Sequence, residues 1–260
     1  MTTTLTARET KGPLTIVSLT DPDRANALSM DMKQELLDHV ADFFADPAQR
    51  CLVLTGTGRV FCAGGDLGTL REGQDAPATR ARLVSTYALI RQLLLGEKPV
   101  IMAVNGAAAG GGFGLAMLGD VILASDKAKF RPAFPAVGVA ADVGLALTLP
   151  RAIGSVRARD ILLCDRTVEA SEALAIGMVS AVHTADTLMA AAIELGLKLA
   201  AGPTQALGLT KKLLRIAQEV PLDTFLDAEF AAQAICFGSA DCREGVNAFY
   251  EKRAPTFSGR

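Results

Sequence analysis

The sequence contains no Cys-x-x-Cys pair, no run of like charges and no unbroken apolar segment of membrane-spanning length. Its five cysteines, Cys51, Cys62, Cys164, Cys236 and Cys242, are odd in number and scattered, which fits reduced thiols better than a disulfide frame or a zinc site. With a formal net charge of -2 and no basic tract, nothing points to a nucleic-acid surface or to electrostatic attachment to a membrane, so an anionic ligand must be held by local groups. The opening Met1-Thr2-Thr3-Thr4 lacks the basic stretch and apolar stretch of a secretory signal, and a soluble, cytoplasmic protein is expected. Histidine is scarce. His39 and His183 stand in no motif with an acid or a nucleophile and form no metal pair, so both read as structural or solvent-facing and no metal is expected.

Two nucleotide-binding signatures are also missing. Gly110, Gly112 and Leu115 follow a strand-like run but do not satisfy Gly-x-Gly-x-x-Gly, so Asp126 is no ribose ligand in a dinucleotide-binding unit. No Gly-Lys-Ser or Gly-Lys-Thr occurs, which excludes the Walker phosphate loop.

What is present is a chain of 260 residues, half of them hydrophobic, able to bury a large core. Apolar runs with strand character alternate with helical patterns. Leu14 to Leu19, Cys51 to Leu54, Val100 to Val104 and Val121 to Ala124 read as strands, and Met178 to Val182 as the last strand-like run. Ser29 reads as the N-cap of a helix carrying Met32, Leu36, Val40 and Phe43 on one face, ended by Asp46-Pro47; further helices are expected near Arg80 to Leu95 and Gly111 to Leu118. Near-continuous apolar strands imply an α/β sheet covered on both faces. From Leu188 onward the pattern is helical, broken at Gly202-Pro203 and Val220-Pro221, so a core over residues 1–190 and a helical region over 191–260 are expected.

Two glycine-rich turns follow apolar strands directly: Ala63-Gly64-Gly65-Asp66-Leu67, and Gly110-Gly111-Gly112 at the start of a helix. Each taken alone is an ordinary strand-to-helix turn. Converging, they could offer free N–H donors to one oxygen that gains negative charge, an enolate oxygen being a suitable guest.

At these residues the chain resembles the crotonase family, the enoyl-CoA hydratase and isomerase superfamily. Phe61 to Leu67, Pro99 to Gly106, Gly110 to Gly112, and Asp165 to Val182 with Glu172-Ala173 and Gly177-Met178-Val179 match in order and spacing, and the match spans essentially the whole chain. The resemblance implies a spiral of ββα units with a helical C-terminal region that assembles homotrimers or dimers of trimers. It implies an acyl-CoA substrate, coenzyme A being part of the substrate and no cofactor tightly bound, and an oxyanion hole from the N–H groups of Gly65 and Gly111.

The family's hydratases carry one glutamate three residues after the oxyanion glycine and another in a Pro-Glu step; here those positions are Gly114 and Phe134. Addition of water normally needs two acid–base groups, so hydratase chemistry is disfavoured. Asp142 stands where family isomerases carry an aspartate, and the endings Ala240 to Val246 and Lys252 to Gly259 are similar to those of the phenylacetate-pathway isomerases. One carboxylate suffices to move a double bond, which makes Asp142 the candidate proton shuttle, its apolar neighbours favouring a raised pKa; without the family it also reads as a cap or turn residue. For coenzyme A the resemblance implicates Arg24, Ala25 and Ala27, the wall of Ala63, Gly64, Asp66 and Leu67, and Phe249 and Lys252 from a neighbouring subunit. Arg24, Lys252 and Arg253 are candidate phosphate partners, and Tyr87, Phe113 and Phe134 candidates for the acyl pocket. Cys62 reads as a packing residue, Asp66 and Asp120 as structural carboxylates. Two other functions stay open: hydration with an acid such as Glu72 or Asp75, and a non-catalytic acyl-CoA-binding subunit.

Overall fold

A computed structural model of the chain describes residues 4–66, 68 and 76–260. Strand β1 (Thr6–Lys11) turns through Gly12-Pro13 into β2 (Leu14–Leu19), forming an antiparallel hairpin. Helix α1 (Met30–Ala45) starts where the Ser29 hydroxyl accepts the Met32 N–H. It buries Met32, Leu36, Val40 and Phe43, as a 3.6-residue period requires. Then follow β3 (Cys51–Gly56), β4 (Val60–Cys62), α2 (Ala76–Leu95), β5 (Val100–Val104), β6 (Ala107–Ala109), α3 (Gly111–Ala116), β7 (Val121–Ser125) and β8 (Lys129–Arg131). The second half holds α4 (Leu145–Ile153), α5 (Ser155–Leu163), β9 (Val168–Glu169), α6 (Ala170–Ala175), β10 (Ala181–His183), α7 (Leu188–Ala200), α8 (Thr204–Ile216), α9 (Leu222–Gly238) and α10 (Ala240–Glu251).

The strands form a larger sheet in the order β1-β2-β3-β5-β7-β10 and a smaller one in the order β4-β6-β8-β9. Pairing is parallel from β2 to β10 in the first and from β4 to β8 in the second, and the passages β3–β4, β5–β6 and β7–β8 each leave one strand in each sheet before crossing back. This is the expected spiral of ββα units. Side chains alternate across the larger sheet. Leu52, Leu54, Val100, Met102 and Val104 join the layer of α1, whereas Cys51, Val53, Ile101, Ala103 and Leu123 meet Leu188, Ala192 and Ala200 of α7.

Three readings shift. The polar strand β1 has no apolar run to announce it, because as an edge strand it is largely exposed; Glu35 of α1 holds its start by accepting the N–H groups of Leu5 and Thr6. Met178 and Val179 are buried without pairing: Gly177, at φ +77°, turns the chain so that both N–H groups bond the Ala173 carbonyl. Position 190 falls inside α7, so the layer beneath the larger sheet runs on to Ala200.

After Gly202-Pro203 come α8, α9 and α10. The buried residue of α9 is Ala232, while its Phe230 and Phe237 are more than two-thirds exposed, as are Phe249 and Tyr250 of α10. The last residues fold back along α10: Arg253 binds Glu244 with two nitrogens, and Asp241 accepts the N–H groups of Ser258 and Gly259. Arg50 ties this tail to α8 through the Phe257 carbonyl and the Thr204 hydroxyl. No helix of the described residues is long and apolar enough to cross a membrane.

Candidate active site

The first glycine bend is pinned from two sides. A short 3-10 turn, Pro22–Arg24, is followed by Ala25 and Asn26, both at φ +53°. Fully buried Asn26 accepts the Asp21 N–H at 3.0 Å and donates to the carbonyls of Thr57 (3.0 Å) and Val60 (2.7 Å), fastening the turn to the β3–β4 connection. The Ala63 N–H donates to the Ala25 carbonyl at 3.0 Å and the Leu28 N–H to the Gly64 carbonyl at 2.7 Å.

The second bend lies directly against the first. Gly64 has φ +94°, and a β-carbon there would stand 2.6 Å from the Ala109 carbonyl oxygen and 3.0 Å from the Gly111 nitrogen. One at Gly112 would overlap the Cys62 carbonyl, so α3 begins with its backbone pressed on the end of β4. Among the described residues, no hydrogen bond uses the N–H of Gly65 or of Gly111. Two donors on abutting bends, one of them in the first turn of a helix, suit an oxygen carrying negative charge.

Asp142 reaches the same place. It is exposed, between the 3-10 turn Pro135–Val137 and α4, and its Oδ1 would lie 3.5 Å from a β-carbon on Gly111. Gly114, one turn further along α3, faces the backbone of Asp142 and Val143: a β-carbon would meet the Val143 β-carbon at 2.7 Å and both carbonyl oxygens at 3.0 Å. There is no space for a glutamate at 114 while Val143 stays in place. Phe134, at the other hydratase position, is 6 % exposed and belongs to the core.

The remaining sequence-derived residues divide. Ala25, Ala27, Ala63, Gly64 and Asp66 line the first bend, with Asp66 Oδ1 accepting the Gly68 N–H at 2.8 Å; Arg24 is exposed beside them, and Leu67, Glu72 and Asp75 lie outside the described residues. Phe249 and Lys252 sit on and just after α10, exposed to solvent. Arg253 is not an available phosphate partner, because Glu244 and Glu251 already hold its guanidinium; the same pairing, with the Thr256 N–H, lowers the Glu244 carboxyl to about 2. Phe113 is fully buried with its ring 5.5 Å from that of Phe130, and Tyr87 is half exposed.

Cys62 is fully buried, and burial pushes its thiol up to about 12 against the opposing Gly64 N–H, so it is no nucleophile. Asp120 is structural: it accepts the Val100 N–H and the Lys211 ammonium, both at 2.8 Å, and burial raises its carboxyl while Lys211 pulls the other way. A cavity of about 780 Å³ opens between the end of α2, α4 and α8, with Met117, Leu147 and Lys211 in its wall, and includes neither glycine bend.

Two residues escaped the sequence reading. Asn26 was visible only as part of a loop, although an asparagine in a polar turn is a known signal for left-handed backbone. Val143 gave no signal, since a β-branched residue at φ +50° runs against every local preference.

The Enoyl-CoA hydratase/isomerase family pattern matches residues 9–260. The 1,2-epoxyphenylacetyl-CoA isomerase of Escherichia coli is 40% identical over 253 residues, covering 96% of both chains. The short-chain-enoyl-CoA hydratase of Clostridium acetobutylicum is 31% identical, covering 94% of both. The crystal structure of an enoyl-CoA hydratase from Bacillus anthracis superposes with a TM-score of 0.93 at 29% identity, over 98% of this chain and 100% of that one. The chain, with its two abutting glycine bends on a ββα spiral, belongs to the enoyl-CoA hydratase/isomerase family.

Proposed function

We propose that this protein is an enoyl-CoA isomerase that shifts a double bond along a CoA-bound acyl chain, with Asp142 as its proton shuttle. The N–H groups of Gly65 and Gly111 bind the thioester oxygen. The Asp142 carboxylate takes a proton from the α-carbon of a 3-enoyl thioester; the C–H electron pair becomes a double bond between the α-carbon and the carbonyl carbon while the carbonyl pair moves onto the oxygen, giving a dienolate conjugated with the 3,4 double bond. The same carboxyl then returns the proton to the γ-carbon on the same face, leaving a 2-enoyl thioester and an unchanged aspartate. Each amide donor contributes about 3 to 4 kcal/mol to holding the charge that develops on oxygen.

The observation that carries this reading is the position of Asp142 Oδ1 beside Gly111, with Gly114 packed against Val143 and Phe134 in the core, so that neither hydratase position supplies an acid. The 40% identical relative, named as an acyl-CoA isomerase, supports it. Ala25, Ala27, Ala63, Gly64 and Asp66 form the wall for the pantetheine and adenine, with Arg24 at the phosphates. Phe249 and Lys252 reach the nucleotide of a neighbouring subunit in a homotrimer or a dimer of trimers, a role that their exposure on and after α10 permits.

Incubation with a 3-enoyl-CoA and a 2-enoyl-CoA in heavy water, followed by mass spectrometry, tests the reaction class. Interconversion of the two without gain of a water is expected; a product heavier by one water would establish hydration, and no reaction would leave a binding protein. Asp142→Asn is expected to keep the fold and lose isomerisation by about 10² to 10⁴-fold, and full activity in that variant would end the proposal.

A further inference from the structure

Val143 holds an unusual combination of features for a residue next to a reactive carboxylate. It is β-branched, it lies at φ +50°, and it is 5 % exposed, with Asp142 before it in solvent and Gly144 after it at φ +73°. Left-handed backbone costs a β-branched side chain more than most, because both γ-carbons crowd the carbonyls, and such strain persists only where surrounding contacts impose it. Those contacts are visible. Val143 Cγ2 would stand 3.0 Å from a β-carbon on Gly111, and the Val143 β-carbon 2.7 Å from one on Gly114. Gly111 and Gly114 are three apart on α3 and present one face. The 142–143 segment lies on that face, and the Leu145 N–H closes the turn onto the Asp142 carbonyl at 3.0 Å.

We infer that Val143 is a positioning residue: seated on the glycine face of α3, it fixes the backbone from which the Asp142 carboxylate reaches the Gly111 bend. It touches no reacting atom and acts through Asp142, so the inference rests on the reading of Asp142 as shuttle. A buried anchor followed by a left-handed glycine fixes the backbone from which the Asp142 side chain extends.

The test compares Val143→Gly, which removes both anchor and strain, with Val143→Ile, which keeps the branched anchor. Three quantities are read: kcat for a 3-enoyl-CoA, the dissociation constant of a saturated acyl-CoA that cannot react, and deuterium incorporated into product in heavy water. Val143→Gly is expected to lower kcat at least tenfold, to leave the dissociation constant within twofold, and to raise deuterium incorporation, as a loosened acid exchanges its proton with solvent before returning it. Val143→Ile is expected to keep kcat within threefold of the wild type. The Asp142 side-chain carboxyl ¹³C resonance, assigned by its loss in Asp142→Asn, is expected to shift or broaden in Val143→Gly. Unchanged kcat, exchange and resonance in Val143→Gly would overturn the positioning role while leaving the isomerase reading intact. A changed resonance in a protein whose wild type does not isomerise would overturn that reading and keep the positioning role.

Discussion

At Gly64 a single hydrogen atom decides whether the two bends can touch. A methyl group there would stand 2.6 Å from the Ala109 carbonyl oxygen, on a backbone at φ +94° that disfavours any β-carbon. Gly64→Ala is expected to separate the bends and cost about 10²-fold or more in kcat, the effect of losing one oxyanion donor, with a smaller change in KM; equal turnover in steady-state assays would show that the bends need not abut. The two glycine bends were legible in the sequence as glycine-rich turns after apolar strands, and Asp142 was singled out by the family resemblance; the structure sets the bends against each other and Asp142 Oδ1 beside Gly111. Asn26 and Val143 were not legible, because their backbone angles are imposed by chain segments remote in sequence.

Among the elements, the passage from β8 to α4 carries the carboxylate, and Asp165 steadies its beginning. Asp165, in the link between α5 and β9, accepts the Arg131 guanidinium and the Ala133 N–H, each at 2.7 Å. The hydrogen bond from Arg131 holds its carboxyl below the ordinary carboxylate range. An acid whose value is lowered by folding stabilises the fold above the unfolded value, about 3.9, and loses that contribution as pH falls through its folded value. Asp165→Asn is expected to lower Tm by about 2–4 °C at neutral pH, the loss of an ion pair between a half-exposed arginine and a mostly covered aspartate. The gap from the wild type narrows below pH about 4, and thermal melts across pH 3 to 7 check it; a gap constant with pH would exclude the ion pair as its source. Element reading from sequence succeeded where an apolar run also pairs, as in β2 and β5. It failed where the two separate: β1 pairs with little buried, and Met178-Val179 is buried without pairing.

For the molecule as a whole, the exposed phenylalanines of α9 and α10 are the feature that an isolated chain leaves unexplained. Patches of this kind in a water-exposed helix pair mark contacts with other molecules. If copies of the chain cover them, as the proposed trimer requires, Phe230→Asp is expected to lower the mass measured by light scattering toward that of one chain. An unchanged mass would place the interface elsewhere. The fold itself was readable from the βα alternation and the family resemblance, whereas the extent of the sheet's second layer was not, since α7 looks like the helices that follow it and differs only in what it packs against.

The meeting of Gly64 with Gly111 has a consequence for how the protein is made. The two bends belong to successive passages of the winding, and the parallel neighbours between them can pair only after the intervening crossover has been synthesised. A nascent polypeptide still threading the ribosome at the second bend therefore has one bend and no partner for it. If the paired bends hold a thioester oxygen as proposed, an immobilised acyl-CoA analogue is expected to let chains truncated before the second bend pass through, whereas full-length molecules are retained.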